Sequence, residues 1–95
     1  MIFKKTPEVI SSDKEVVVYW RPGCPFCMNL EQGLSGISLQ KKNIWEDKDA
    51  AAFVRSVADG NETVPTVRIG DEVRVNPSAR EVKKIVKSLA PDLLQ

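Results

Sequence analysis

The sequence predicts an α/β fold, one small sheet flanked by helices in the order βαβαββα, and three observations predict it. Apolar periodicity alternates along the chain between two residues and three to four. A short β-branched run, Val16-Val17-Val18-Tyr19, leads directly into Gly23-Cys24-Pro25, residues that suit a turn and a helix start. Near the end, Gly70-Asp71 separates two segments of alternating polarity, and an amphipathic stripe follows them. Ninety-five residues, 42% hydrophobic and 28% charged, make one domain over 1–95, with 1–14 an N-terminal extension without assigned structure.

The elements follow in order. After a strand at Val16 to Trp20, Cys27, Leu30 and Leu34 recur at helical spacing, and Gly33 and Gly36 mark where that helix frays. A second strand falls within Ile37 to Trp45, where Leu39 and Ile44 fit the alternation loosely and Lys41-Lys42 interrupt it. Asp47 or Asp49 caps a second helix with Ala50, Phe53, Val54 and Val57 on its buried face, and Asp59-Gly60-Asn61 ends it with residues that tolerate positive φ. Val67, Ile69, Val73 and Val75 alternate with Thr66, Arg68, Glu72 and Arg74 as a hairpin. The last helix has a capping box in Ser78-Ala79-Arg80-Glu81, with Asn76-Pro77 as a rival start, and an apolar stripe of Val82, Ile85, Val86 and Leu89 that ends before Pro91.

Composition narrows the function classes. Lys plus Arg at 14 against Asp plus Glu at 13 gives a formal charge of +1, without the basic excess of a nucleic-acid binder. The N-terminus reaches Lys4, Lys5 and Pro7 before any apolar signal region forms, and no stretch reaches membrane-spanning length. A cytoplasmic protein with neither nucleic-acid nor membrane partners is expected. No oligomerisation motif stands out, so a monomer is expected too.

Cys24 and Cys27 are the only two cysteines, and the chain has no histidine. Two thiolates supply half of a structural zinc site, haem attachment through Cys-x-x-Cys-His fails at Met28, and a Cys-His nucleophile pair is excluded. A purely structural disulfide would close almost no loop and stabilise the fold little. A redox site fits better. Cys24 sits at a helix N-cap and Pro25 at the first helical position, where its missing N–H costs nothing. Free first-turn amides and the positive end of the helix dipole then favour the Cys24 thiolate over the thiol, which makes Cys24 the nucleophile and Cys27 the resolving sulfur.

From about Val16 to Leu89 the chain resembles the glutaredoxin branch of the thioredoxin-like fold. Cys24-Pro25-Phe26-Cys27 is close to the Cys-Pro-Tyr-Cys of dithiol glutaredoxins, and Thr63-Val64-Pro65 stands where that family has Thr-Val-Pro with a cis proline. The register from Phe53-Val54 through Asp59-Gly60-Asn61 to Thr63-Val64-Pro65, followed by Asn76-Pro77-Ser78, resembles the mycoredoxins, mycothiol-linked glutaredoxins of actinobacteria. The resemblance implies a three-layer thioredoxin-like fold with a four-stranded mixed sheet and three helices. It also implies a thiol-disulfide oxidoreductase that reduces protein mixed disulfides with a low-molecular-weight thiol as co-substrate, mycothiol or glutathione, and no tightly bound cofactor or metal. A flavin disulfide reductase would then act indirectly, by regenerating the small thiol.

The same resemblance places Val64 backbone groups beside the sulfur, ready to pair with a cysteinyl substrate as an added strand. Arg21, three residues before Cys24, resembles in role the lysine many glutaredoxins carry there, and it would stabilise the thiolate or meet a substrate carboxylate. Phe26 and Trp45, and also Trp20, are candidates to line the groove. Glutathione-dependent relatives usually have Gly-Gly where this chain has Asn76-Pro77-Ser78. Pro77 is expected to remove a backbone donor from the carboxylate site, and neutral Asn76 and Ser78 suit the sugar hydroxyls of mycothiol better. Two alternatives stay open: a donor reduced by thioredoxin reductase, and a dimer holding an iron-sulfur cluster through Cys24 and a small thiol, against which Pro25 counts.

Overall fold

Alternating periods become alternating elements. The computed structural model describes residues 15–91, and the expectation for 1–14 lies outside them. The elements are β1 (Val16–Trp20), α1 (Pro25–Gly33), β2 (Leu39–Asn43), α2 (Lys48–Val57), β3 (Thr66–Ile69), β4 (Glu72–Val75) and α3 (Ala79–Leu89). The sheet runs β2-β1-β3-β4, with β1 parallel to β2 and antiparallel to β3, and β3 antiparallel to β4. It is the mixed four-stranded sheet expected.

The uninterrupted apolar run of β1 reflects its central place, since Val16 to Tyr19 are buried on both faces. Successive side chains point to opposite faces, which divides the core in two. Val16 and Val18 pack with Leu30 and Leu34 of the α1 region, with Val67 and Ile69 of β3, and with Val82 and Val86 of α3. Val17 and Tyr19 pack with Ile44, Ala50, Ala51 and Val54 on the α2 side. Phe53 completes that side by stacking on Tyr19, with ring centroids 4.9 Å apart.

β2 explains its own weak pattern. It is an edge strand paired only with β1, and Lys41 and Lys42 are exposed on it, where charge discourages further strand pairing. Asp47 rather than Asp49 caps α2, accepting from the Ala50 amide at 3.0 Å, and positive φ at Asp59 and Gly60 turns the chain out of the helix. Ser78 caps α3 and accepts from Glu81 N at 3.1 Å, which settles the rival start at Asn76. The capping box is half formed, because the Glu81 carboxylate meets Arg74 Nε at 3.3 Å. Leu89 departs from its stripe and is half exposed, for at that point α3 has reached the turn at Gly70 and Asp71, which offers no apolar partner.

Candidate active site

Four of the site's segments meet at one end of the sheet because β1 and β2 are parallel and end together, while β3 starts and β4 finishes there. At the end of β1, Arg21-Pro22-Gly23 turns the chain, with Gly23 at φ 74°. Few other residues adopt that angle cheaply. Cys24 follows in extended geometry as the N-cap of α1, and Pro25 takes the first helical position. Both placements agree with the sequence reading.

The amide of Cys27 lies 3.1 Å from Cys24 Sγ and donates to it. This is one of the orphan donors of the first turn, aimed at the Cys24 sulfur. Cys24 and Cys27 form a disulfide with their Cα atoms 5.3 Å apart, and both residues are buried. Phe26 between them is 67% exposed, as the second position of a first turn should be.

The Val64-Pro65 peptide bond is cis, as the resemblance implies. The segment around it is pinned from two directions. Thr66 Oγ1 donates to the Thr63 carbonyl at 2.8 Å, and Asn76 N donates to the Pro65 carbonyl at 2.7 Å. Between these anchors the Val64 carbonyl oxygen lies 3.8 Å from Cys24 Sγ. In the disulfide state that sulfur has no proton to donate, so the carbonyl remains an acceptor without a strong partner there.

Asn76 holds a positive φ of 54°. Asparagine tolerates this left-handed conformation better than most residues, and here it takes the place of a glycine. Its main chain thereby ties the start of α3 to Pro65. Beyond it a cleft of about 200 Å³ opens between α1 and α3, lined by Phe26, Asn29, Leu30, Asn76, Pro77, Ser78 and Ala79. The sequence reading picked out Phe26, Asn76 and Ser78 but missed Asn29. Asn29 follows Phe26 by three residues on the same helix face, a spacing that would have revealed it. Two larger hollows, of about 370 and 350 Å³, lie against β4 and the end of α3 and include none of the candidate residues.

Pro77 requires a correction. It stands before the Ser78 cap, so its missing N–H is not one of the helix's orphan donors, and its buried ring forms part of the cleft wall. The first-turn amides of Ala79 and Arg80 remain. The cleft lining carries no charged side chain: Asn29, Asn76 and Ser78 stand among the apolar Phe26, Leu30, Pro77 and Ala79.

On the β2 side of the sulfurs, the Arg21 guanidinium lies over the Trp45 ring, 5.7 Å from its centroid. Trp45 stands in the turn after β2, its amide donating to Asn43 Oδ1 at 2.9 Å, and it is 63% exposed. Trp20 is half-buried at the end of β1. Among the described residues, no three His, Cys, Asp or Glu side chains cluster as metal ligands do. No helix of the described residues is long and apolar enough to cross a membrane.

Comparison with known proteins agrees with this geometry. The sequence profile of the glutaredoxin family matches residues 16–74. Mycoredoxin 1 of Corynebacterium glutamicum is 40% identical over 76 residues, covering 79% of this chain and 96% of that protein. The crystal structure of a glutaredoxin from Archaeoglobus fulgidus superposes with a TM-score of 0.66 at 21% identity, over 88% of this chain and 97% of that one. A buckwheat glutaredoxin in complex with glutathione gives a TM-score of 0.60 at 22% identity, over 94% of each chain. These two structures share the fold.

Proposed function

Given that the chain belongs to the glutaredoxin family and is a thiol-disulfide oxidoreductase, we propose that it reduces mixed disulfides between proteins and mycothiol, with Cys24 as the attacking sulfur. The observation that carries this reading is the Cys24 environment, with an amide donor at 3.1 Å, the Val64 carbonyl at 3.8 Å and an uncharged cleft that begins at Phe26 between the two cysteines.

The Cys24 thiolate attacks the small thiol's sulfur in the mixed disulfide. A new Cys24–thiol disulfide forms, the protein sulfur leaves as a thiolate, and it takes a proton from water. A second small-thiol thiolate then attacks the small-thiol sulfur on Cys24, releasing the Cys24 thiolate and the symmetrical small disulfide. Alternatively, the Cys27 thiolate attacks Cys24 Sγ, closes the internal disulfide and expels the small thiol. Val64 backbone groups align the cysteinyl part of the substrate as a short added strand. Thr63 and Pro65 hold Val64 in place through the bonds to Thr66 and Asn76.

Two observations support mycothiol as the thiol: the similarity to mycoredoxin 1 and the amide and hydroxyl groups of Asn29, Asn76 and Ser78 along the cleft. Mycothiol has sugar hydroxyls and no γ-glutamyl carboxylate, so such groups match it by hydrogen bonding rather than by charge. The test is a coupled turnover assay on one protein mixed disulfide, with mycothiol, glutathione and thioredoxin reductase offered separately. Mycothiol is expected to give the fastest turnover. Equal or faster turnover with glutathione would reject the thiol assignment, and full turnover with thioredoxin reductase alone would replace it with a directly reduced donor.

A further inference from the structure

Trp45 is a large aromatic side chain that the fold does not use. It is 63% exposed, while the neighbouring Ile44 fills the core on the α2 side. Its position is nevertheless fixed. Ile44 N donates to the Trp20 carbonyl at 2.9 Å and Trp45 N to Asn43 Oδ1 at 2.9 Å, so the turn carrying the indole is tied to the end of β1. Arg21 leaves β1 three residues before Cys24 and lays its guanidinium over the ring. An exposed indole stiffened by cation–π contact with a guanidinium three residues before Cys24 is a preorganised recognition element, of residue types that dominate protein interfaces.

A mixed disulfide has two arms diverging from its sulfurs. In the reading above the small-thiol arm enters the cleft beside α3, on the β4 side of Cys24, so the protein arm leaves toward the other side, where β2 ends. We propose that Trp45, supported by Arg21, is the docking element for that protein arm, and that it selects an extended segment with an apolar side chain next to its half-cystine. The indole gives an apolar surface to that neighbour, and Arg21 acts as a positioning residue through the ring. The proposal rests on the assignment of the small thiol to the α3 cleft.

The experiment compares Trp45→Ala, Trp45→Phe and the unmodified protein on three mixed disulfides of one small thiol. The partner thiols are a cysteinyl peptide with leucine on both sides of the cysteine, the same peptide with glycine there, and 2-mercaptoethanol. Trp45→Ala is expected to lower kcat/KM on the leucine-flanked peptide about fivefold or more relative to 2-mercaptoethanol, mostly through KM, and Trp45→Phe to recover most of that. The glycine-flanked peptide is expected to fall between them. An equal loss on all three substrates, or no loss on the leucine-flanked peptide, would overturn the proposal. The comparison is run with mycothiol and with glutathione disulfides. A wrong thiol assignment shows as low turnover of every mycothiol disulfide, whereas failure of the Trp45 role shows as an unchanged ratio between partner arms.

Discussion

Reduction of the Cys24–Cys27 disulfide leaves one sulfur with a donor already aimed at it, since the Cys27 amide stands 3.1 Å from Cys24 Sγ at the start of α1. A thiolate at Cys24 therefore gains a charge-assisted hydrogen bond and stands at the very start of the helix dipole, with Cys27 three residues further in. Limiting iodoacetamide near neutral pH should alkylate Cys24 first, read by mass spectrometry of the reduced protein. Predominant labelling of Cys27 would reverse the two roles. The division of labour follows from the same geometry. Cys24→Ser should abolish all exchange, whereas Cys27→Ser should retain turnover of small-thiol mixed disulfides, because a second thiol molecule resolves the intermediate, and should lose only reactions that need the internal disulfide. Steady-state assays on both variants check this, and activity in Cys24→Ser would sink the mechanism. The helix start that places the two sulfurs was legible from five consecutive residues, because capping rules act locally. The role of Asn76 was not, since its positive φ and its bond to Pro65 depend on a contact eleven positions away.

The elements were legible in proportion to their burial. β1 reads directly as a strand because both of its faces are covered, and α2 because its cap and its terminator are both local signals. β2 reads poorly because an edge strand with exposed lysines is held by backbone pairing to β1 rather than by side-chain burial. Leu89 misled because periodicity records what a helix offers and not where the sheet beneath it ends. One helix contact escaped the sequence altogether. A Cβ placed on Gly33, the last residue of α1, would come within 2.5 Å of the Ala79 Cβ at the start of α3. Ala79 also lines the cleft, so this close approach sets how α3 stands against the redox helix. Gly33→Ala should overpack by about 1–3 kcal/mol against a helix-propensity gain of up to about 1 kcal/mol. The two residues should also couple. Ala79→Gly should rescue Gly33→Ala, with an interaction energy of about 1–2 kcal/mol in a double-mutant cycle of chemical denaturation. Additive effects would show that the helices separate without resistance.

Across the whole molecule, the site is a meeting of segments distant in sequence, the ends of β1 and β2, the start of β3 and the approach to α3, and only topology brings them together. The sequence supplied the chemistry of each segment, and the resemblance to glutaredoxins supplied their order around the sulfur. Physics alone does not place Thr63-Val64-Pro65 beside Cys24, forty residues earlier in the chain. The formal charge of +1 leaves little net field to steer a charged reductant over long distances. Charge near the sulfur is then local. Arg21 is the cation at the end of β1, and the cleft on the other side offers Asn29, Asn76 and Ser78. An uncharged sugar thiol recognised by those groups should react with little dependence on salt, whereas the carboxylates of glutathione would depend on exposed surface cations. Raising the ionic strength from about 0.1 M to about 1 M shortens the screening length from about 10 Å to about 3 Å and weakens exposed charge contacts most. Turnover with mycothiol should therefore change less than twofold over that range, a shift of under about 0.4 kcal/mol, while turnover with glutathione should fall further. The ratio between the two reductants should thus widen with salt, measured as kcat/KM for each thiol on one mixed disulfide. A ratio that narrows would mean that mycothiol is held by charge, and that the neutral cleft beside α3 is not where it binds.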